Sequence, residues 1–149
     1  MSALRYWFIN IIALNLLLLD ISFKKIFSAF PSREYFIFGW LKLKLAVNPG
    51  IAFGLFLNYY LILFLYFVII AILIYFLVYH YRRKNSLSVM GLAIIILGAF
   101  SNLLDRIFFG AVVDYIDLKY YTVFNLADVM IVLGIAILIV VIWKDKNKS

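Results

Sequence analysis

The residues of this sequence that are best suited to chemistry are carboxylates, amides and one arginine within residues 102–128. The candidates are Asn102, Asp105, Arg106, Asp114, Asn125 and Asp128. The first three are spaced i, i+3 and i+4, so they share one face if a helix continues through them. The last two repeat the i, i+3 spacing, and Asp114 lies between the groups in the β-favouring stretch VVDY. Because the flanking runs are strongly apolar, unpaired charges would be costly here, which makes these residues candidates for function.

Composition alone leaves two interpretations of these residues open. In the structural one, Asp105 and Arg106 form an ion pair at a helix end, and Asp128 caps the next helix, where a carboxylate near the N-terminus is favoured. In the functional one, two aspartates held close share one proton, because both cannot ionise cheaply side by side. The chain has no cysteine, and its single histidine, His80, lies among basic residues. We therefore expect no metal site, no thiol chemistry and no Ser-His catalysis.

The composition indicates a membrane protein. Of the 149 residues, 68% are hydrophobic and 14% are charged, and the mean hydropathy is +1.10. This is too little polar surface to coat a soluble globule of this size. The net charge of +7 is spread over the edges of apolar runs rather than along one stripe. That distribution favours anionic membrane lipids over nucleic acid as the partner.

Four apolar segments are each close to the roughly 20 residues that a helix needs to cross the hydrocarbon core. They span residues 6–23, 59–79, 87–104 and 126–143. The first could instead be a secretory signal peptide, but no small-residue cleavage pattern follows it. The sequence therefore predicts an all-α integral membrane protein with four transmembrane helices in a single domain, residues 1–149.

The connection over residues 24–58 is predicted to carry a small β element on the outer face. Within it the stretch WLKLKLAV alternates lysines with leucines, as in a strand with one polar and one apolar face. A second β-favouring stretch, AVVDYIDL, falls on the same side and is a candidate to pair with it. Basic residues lie closest to the helix ends on the side of the two termini, so we expect both termini in the cytoplasm.

Four short motifs resemble, in their order and placement, those of the lipoprotein signal peptidases, also called signal peptidase II. They are NPGIAFG at 48–54, NLLDR at 102–106, VVDYI at 112–116 and FNLAD at 124–128. The stretch LDISFK at 19–24 is similar to the family's D-x-x-[ST]-K element, although serine stands one position early. This family consists of aspartic peptidases of the bacterial inner membrane with four helices.

The resemblance implies that Asp114 and Asp128 are the catalytic aspartates, and that together they activate water for peptide hydrolysis. It also implies substrate-binding or site-supporting roles for eight further residues. These are Asn48, Gly50, Asn102, Asp105, Arg106, Asn125, Asp20 and Lys24. No cofactor is implied, and we expect a monomer.

By the same resemblance, the substrate is a prolipoprotein that already carries diacylglycerol on its cysteine, cut just before that residue. Six aromatic residues near the outer motifs suit a groove for its acyl chains: Phe53, Phe56, Phe108, Phe109, Tyr115 and Phe124. Two other classes of protein remain. A small proton-coupled transporter or channel subunit would need polar residues across the bilayer, which the second and fourth helices almost lack. A noncatalytic scaffold would leave the repeated Asn/Asp spacing unexplained.

Overall fold

The computed structural model describes residues 3–50 and 58–147, and within them four helices are long and apolar enough to cross a membrane. These are α1 (Ala3–Ala29), α2 (Tyr59–Arg82), α3 (Ser86–Phe109) and α4 (Leu126–Lys146). The prediction of a four-helix membrane protein is therefore confirmed. The rest of the motif NPGIAFG beyond Gly50, and the aromatic residues Phe53 and Phe56, lie outside the described residues.

All four helices are longer than the segments predicted from the sequence, and α1 and α3 are extended most. Charged residues suggested the ends of these two helices, but those residues are themselves helical. Helix α1 continues past residue 23 to Ala29, and α3 continues past residue 104 to Phe109. The extensions contain Lys24 in α1 and both Asp105 and Arg106 in α3, and all three side chains are buried. Charges inside a helix are tolerated in an apolar setting when they are paired or hydrogen-bonded, which is the case here.

Helix α3 is the centre of the bundle and contacts the other three helices. It packs most closely against α4, where small residues let the two backbones approach. A Cβ atom added at Gly98 would lie 2.6 Å from the carbonyl oxygen of Ala127, and one at Gly134 would lie 2.6 Å from that of Gly91. This close approach brings the C-terminal half of α3 next to the first turn of α4.

A three-stranded antiparallel sheet covers the end of the bundle at which α1 ends and α4 begins. Its strands, in spatial order, are β1 (Tyr35–Phe38), β2 (Leu41–Asn48) and β3 (Val112–Leu118). The two β-favouring stretches thus pair, with Ala46 opposite Asp114 and Asn48 opposite Val112. This register brings Asn48, near the end of β2, within reach of the carboxylate of Asp114 on β3.

Candidate active site

A cavity of about 740 Å³ lies between the sheet and helices α2, α3 and α4. Asp114 and Asp128 both line it, together with Asn48, Asn102 and Arg106. These five residues come from β2, β3, α3 and α4, and the fold brings them to one place. The other predicted site residues contact this group. Gly50 bonds to Arg106 and Asn125 to Asp114, while Asp20, Lys24 and Asp105 form a cluster bonded to Asn102.

Asp114 lies on β3 with only 3% of its surface exposed. Its Oδ1 accepts a hydrogen bond of 2.7 Å from the Asn125 amide, and its Oδ2 accepts one of 3.4 Å from the Asn48 amide. Burial raises the pKa of Asp114 to about 7, and the nearby carboxylate of Asp128 adds to the rise. The two amide hydrogen bonds oppose this rise without overcoming it. Asp114 is therefore suited to hold a proton near neutral pH.

Asp128 is the third residue of α4, and it caps the helix as the structural interpretation predicts. Its Oδ2 accepts from the backbone N–H of Asn125 at 3.3 Å, while the Asn125 Oδ1 accepts from the backbone N–H of Asp128 at 2.9 Å. This reciprocal pair is a capping box. The other oxygen, Oδ1, accepts a 2.8 Å hydrogen bond from the Asn102 amide. Capping thus orients Asp128 and leaves it lining the cavity.

Asn125 connects the two carboxylates and is completely buried. Its Nδ2 donates to Asp114 Oδ1 and also lies 3.0 Å from Asn102 Oδ1. Within residues 3–50 and 58–147, neither Asp114 nor Asp128 forms an ion pair with a lysine or arginine. Both carboxylates are held by amides, which orient them without neutralising them. A shared proton is the least costly way to reduce their mutual repulsion.

Arg106 supports the turn that presents Asn48. Its Nη2 donates to the carbonyl of Gly50 at 2.7 Å, and its Nη1 lies 3.5 Å from the carbonyl of Asn48. The backbone N–H of Gly50 in turn donates to Asn48 Oδ1 at 3.1 Å. The predicted ion pair between Asp105 and Arg106 is wrong, because Asp105 pairs instead with Lys24. Adjacent residues on a helix point in different directions, so the two side chains reach different partners.

Lys24 lies at the centre of a buried ionic cluster behind the cavity. Its Nζ is 2.9 Å from Asp20 Oδ2, one helical turn away on α1, and 2.9 Å from Asp105 Oδ2 on α3. It also donates to Ser101 Oγ and to Asn102 Oδ1, each at 3.0 Å. The second of these bonds fixes the orientation of the Asn102 amide. The Nδ2 of Asn102 then donates to Asp128 Oδ1.

A family model described as signal peptidase (SPase) II matches residues 12–144. The chain belongs to this family. Lipoprotein signal peptidases of similar length include one from Wigglesworthia glossinidia brevipalpis, 37% identical over 87% of this chain and 90% of the relative. Another, from Syntrophomonas wolfei subsp. wolfei, is 35% identical over 98% of this chain and 97% of the relative. Membership of the signal peptidase II family confirms the predicted peptidase, and nothing in these comparisons favours the transporter or channel alternative.

Two solved structures of bacterial membrane enzymes share the fold of this signal peptidase II. One has a TM-score of 0.80 at 24% identity and covers 93% of this chain and 89% of its own. The other has a TM-score of 0.75 at 25% identity and covers 91% and 92%. The arrangement of four helices and a small sheet is therefore that of known membrane enzymes.

Sequence reasoning missed the roles of Ser101 and Tyr115 in this signal peptidase II. Ser101 accepts from Lys24, and the ring of Tyr115 is buried rather than part of an acyl-chain groove. The signal for Tyr115 was present in the strand pattern. Side chains alternate between the two faces of a strand, so Tyr115 faces away from the cavity if Asp114 faces into it.

Proposed function

We propose that this chain removes the signal peptide from diacylglyceryl-modified prolipoproteins by hydrolysing the peptide bond just before the lipidated cysteine, with Asp114 and Asp128 as its catalytic pair. One observation carries the proposal: the two carboxylates line one cavity, are bonded to amides, and have no cationic partner in the described part of the chain. The names of the related lipoprotein signal peptidases support the choice of substrate.

In the reaction, the pair begins with one proton. Asp114 is the better candidate to hold it, since burial raises the pKa of this group to about 7. Asp128 lies in the first turn of α4, where the partial positive charge of a helix N-terminus favours an ionised carboxylate. Asp128 is therefore proposed as the base that takes a proton from water, while Asp114 donates its proton to the oxygen of the scissile carbonyl.

The first step forms a bond from the water oxygen to the carbonyl carbon and yields a tetrahedral diol. In the second step, Asp128 returns its proton to the leaving nitrogen, and Asp114 takes one back from the diol. The C–N bond breaks, and the pair again holds one proton. No metal or cofactor is required, because each proton moves between water, substrate and the two carboxylates.

The apolar wall of the cavity suits a hydrophobic signal peptide. Val129, Val132 and Leu133 line it from α4, and the latter two side chains are more than half exposed along the helix. A substrate helix lying against α4 would place its extended end beside the aspartates. Because the described groups of the site all come from one chain, we propose that the enzyme acts as a monomer.

We further propose that the enzyme lies in the bacterial inner membrane with both termini in the cytoplasm and the cavity toward the outer face. Helices α2 and α3 are joined by a short basic connection, residues 83–85, and α4 ends with Lys144 and Lys146 in its last turn. Basic residues close to helix ends favour the cytoplasmic side. The sheet and the aspartates are at the opposite end of the helices.

Cysteine labelling tests this orientation, and the native chain has no cysteine to add background. Ser32 and Asn147 are exposed at opposite ends of the bundle. In intact cells, a membrane-impermeant thiol reagent should label Ser32→Cys and leave Asn147→Cys unlabelled. Labelling of Asn147→Cys alone would invert the orientation and place the aspartates in the cytoplasm.

The activity is tested with the purified enzyme and two forms of one prolipoprotein, with and without diacylglycerol on the cysteine. We expect cleavage of the lipidated form just before the cysteine and at least about tenfold slower cleavage of the other, since binding of the acyl chains contributes to catalysis. Equal rates would refute recognition of the lipid. Absence of cleavage of both forms by a folded enzyme would refute the proposed function.

A further inference from the structure

The first turn of α4, which carries Asp128, is held by acceptors from other elements. A helix begins with N–H groups that lack intrahelical partners. The N–H of Leu126 donates to the hydroxyl of Tyr115 at 3.1 Å, and that of Ala127 donates to Asp20 Oδ1 at 3.1 Å. The third N–H is accepted by the cap residue, as described above. Strand β3 and helix α1 therefore supply two of the three acceptors.

Tyr115 itself is fixed on every side. Its side chain is 3% exposed, and its ring stacks on Phe27 with centroids 5.4 Å apart and lies 5.5 Å from the ring of Phe23. Its hydroxyl donates to Asp20 Oδ1 at 3.0 Å while accepting from Leu126. Its backbone N–H donates to the carbonyl of Phe124 at 3.0 Å. One residue thus joins β3, α1 and the start of α4.

We propose that Tyr115 is a positioning residue for peptide hydrolysis, whose hydroxyl holds the strand that carries Asp114 at a set distance from the helix turn that carries Asp128. This inference rests on the proposed function. Tyr115 directly follows Asp114 in the chain, and its hydroxyl contacts the residue two positions before Asp128. A displacement of either element changes the separation of the two carboxylates, and catalysis is sensitive to misplacements of about 1 Å.

The hydroxyl is the part of Tyr115 that makes this connection, and the ring provides packing. Phenylalanine at this position would keep the contacts with Phe23 and Phe27. It would leave the Leu126 N–H without its acceptor and Asp20 Oδ1 without one of its two donors. A buried donor without a partner is costly, so the first turn of α4 is expected to shift or fray.

The separation of the aspartates is measurable through the pH dependence of the reaction. The charge of Asp128 is one of the causes that raise the pKa of Asp114, and this effect weakens with distance. Other charged groups face the site from neighbouring elements. These are Asp20 and Lys24 on α1 and Asp105 and Arg106 on α3. Phenylalanine at position 115 removes none of these charged groups, so a changed pH profile would report the geometry of the pair.

The test compares Tyr115→Phe with the native enzyme and with Tyr35→Phe, using the lipidated prolipoprotein in detergent. Tyr35 also packs against Phe27. The control therefore removes a hydroxyl from the same aromatic cluster, but not the hydroxyl that accepts from the first turn of α4. For Tyr115→Phe we expect kcat to fall about tenfold or more with KM within about twofold. The alkaline limb of its pH–rate profile should move to lower pH, because a wider separation weakens the effect of the Asp128 charge on the pKa of Asp114. Tyr35→Phe should match the native enzyme in both measurements.

Two results would overturn the inference. One is a native kcat and pH profile for Tyr115→Phe. The other is a lower kcat that is explained by a smaller folded fraction, with the pH profile unchanged, which would leave Tyr115 a packing residue only. If the native enzyme itself cleaves no prolipoprotein, the proposed function fails instead, and the two failures are distinguishable.

Discussion

The protein contains two pairs of carboxylates close to each other, and they are stabilised in opposite ways. Asp20 and Asp105 both contact the ammonium group of Lys24, at 2.9 Å each. Asp114 and Asp128 contact side-chain amides, and the described ion pairs do not include them. Asn102 lies between the two pairs and connects them, since it accepts from Lys24 and donates to Asp128.

The difference accounts for the roles that we propose, with Asp20 and Asp105 as a structural pair and Asp114 and Asp128 as a reactive pair. A lysine between two carboxylates compensates their charge and fixes their geometry, and neither Asp20 nor Asp105 is among the residues that line the cavity. Amides fix geometry and leave the charge in place. A buried pair of carboxylates without a cation then holds a proton that it can transfer.

Removing a carboxylate of the reactive pair should abolish the reaction. Asp114→Asn or Asp128→Asn each removes a proton-transfer group with little change in shape, so cleavage of the lipidated prolipoprotein should fall by at least about 10³-fold. The folded fraction in detergent should stay native, because asparagine can keep part of the amide network. Substantial residual turnover in either variant would refute the assignment of Asp114 and Asp128 as the catalytic pair.

Removing the cation of the structural pair should lower stability. Lys24→Met leaves Asp20 and Asp105 buried without their common partner, which costs on the order of 3–5 kcal/mol. The matched control is Lys44→Met, which removes a similarly short ion pair of 2.8 Å to Asp117 whose lysine is 29% exposed. Partly exposed pairs contribute about 0–1 kcal/mol. Similar losses of thermal stability in the two variants would contradict the expectation that the buried Lys24 pairs contribute more to stability than the partly exposed Lys44 pair.

The raised pKa of Asp114 should make the stability of the folded protein depend on pH. The pKa of Asp114 is about 7 when folded against an ordinary 3.8, so the folded protein holds a proton that the unfolded chain releases. Stability that depends on Asp114 therefore falls as pH rises from about 4 to about 7. In Asp114→Asn the side chain does not titrate, so this fall in stability with rising pH is absent. The melting temperature of the variant should therefore exceed that of the native protein by a few degrees near pH 8 but not near pH 4.

A melting difference that is independent of pH would show that Asp114 titrates normally in the folded protein. The corresponding activity measurement uses the native enzyme, whose cleavage rate should fall as pH rises past about 7 and the pair loses its shared proton. A rate that stays constant well above that pH would contradict a protonated carboxyl in the mechanism.

Much of this protein follows from local rules that can be read from the residues. The lengths of the apolar runs predict four spans, and the alternation in WLKLKLAV predicts a strand. The i, i+3 spacing of Asn125 and Asp128 predicts a cap, and the structure contains it as a capping box. These features depend on the geometry of a single helix or strand, so the sequence determines them by itself.

The tertiary structure decided the partners that charged and polar groups take in other elements. Asp20 and Lys24 pair along one helix, as their i, i+4 spacing allows. Asp105 pairs with Lys24 rather than with its neighbour Arg106, because the packing of α1 against α3 brings the ammonium group within 2.9 Å. Tyr115 likewise meets the start of α4 only because the sheet closes over the bundle. Contacts between elements depend on how the elements pack, and residue spacing within one element carries no information about that.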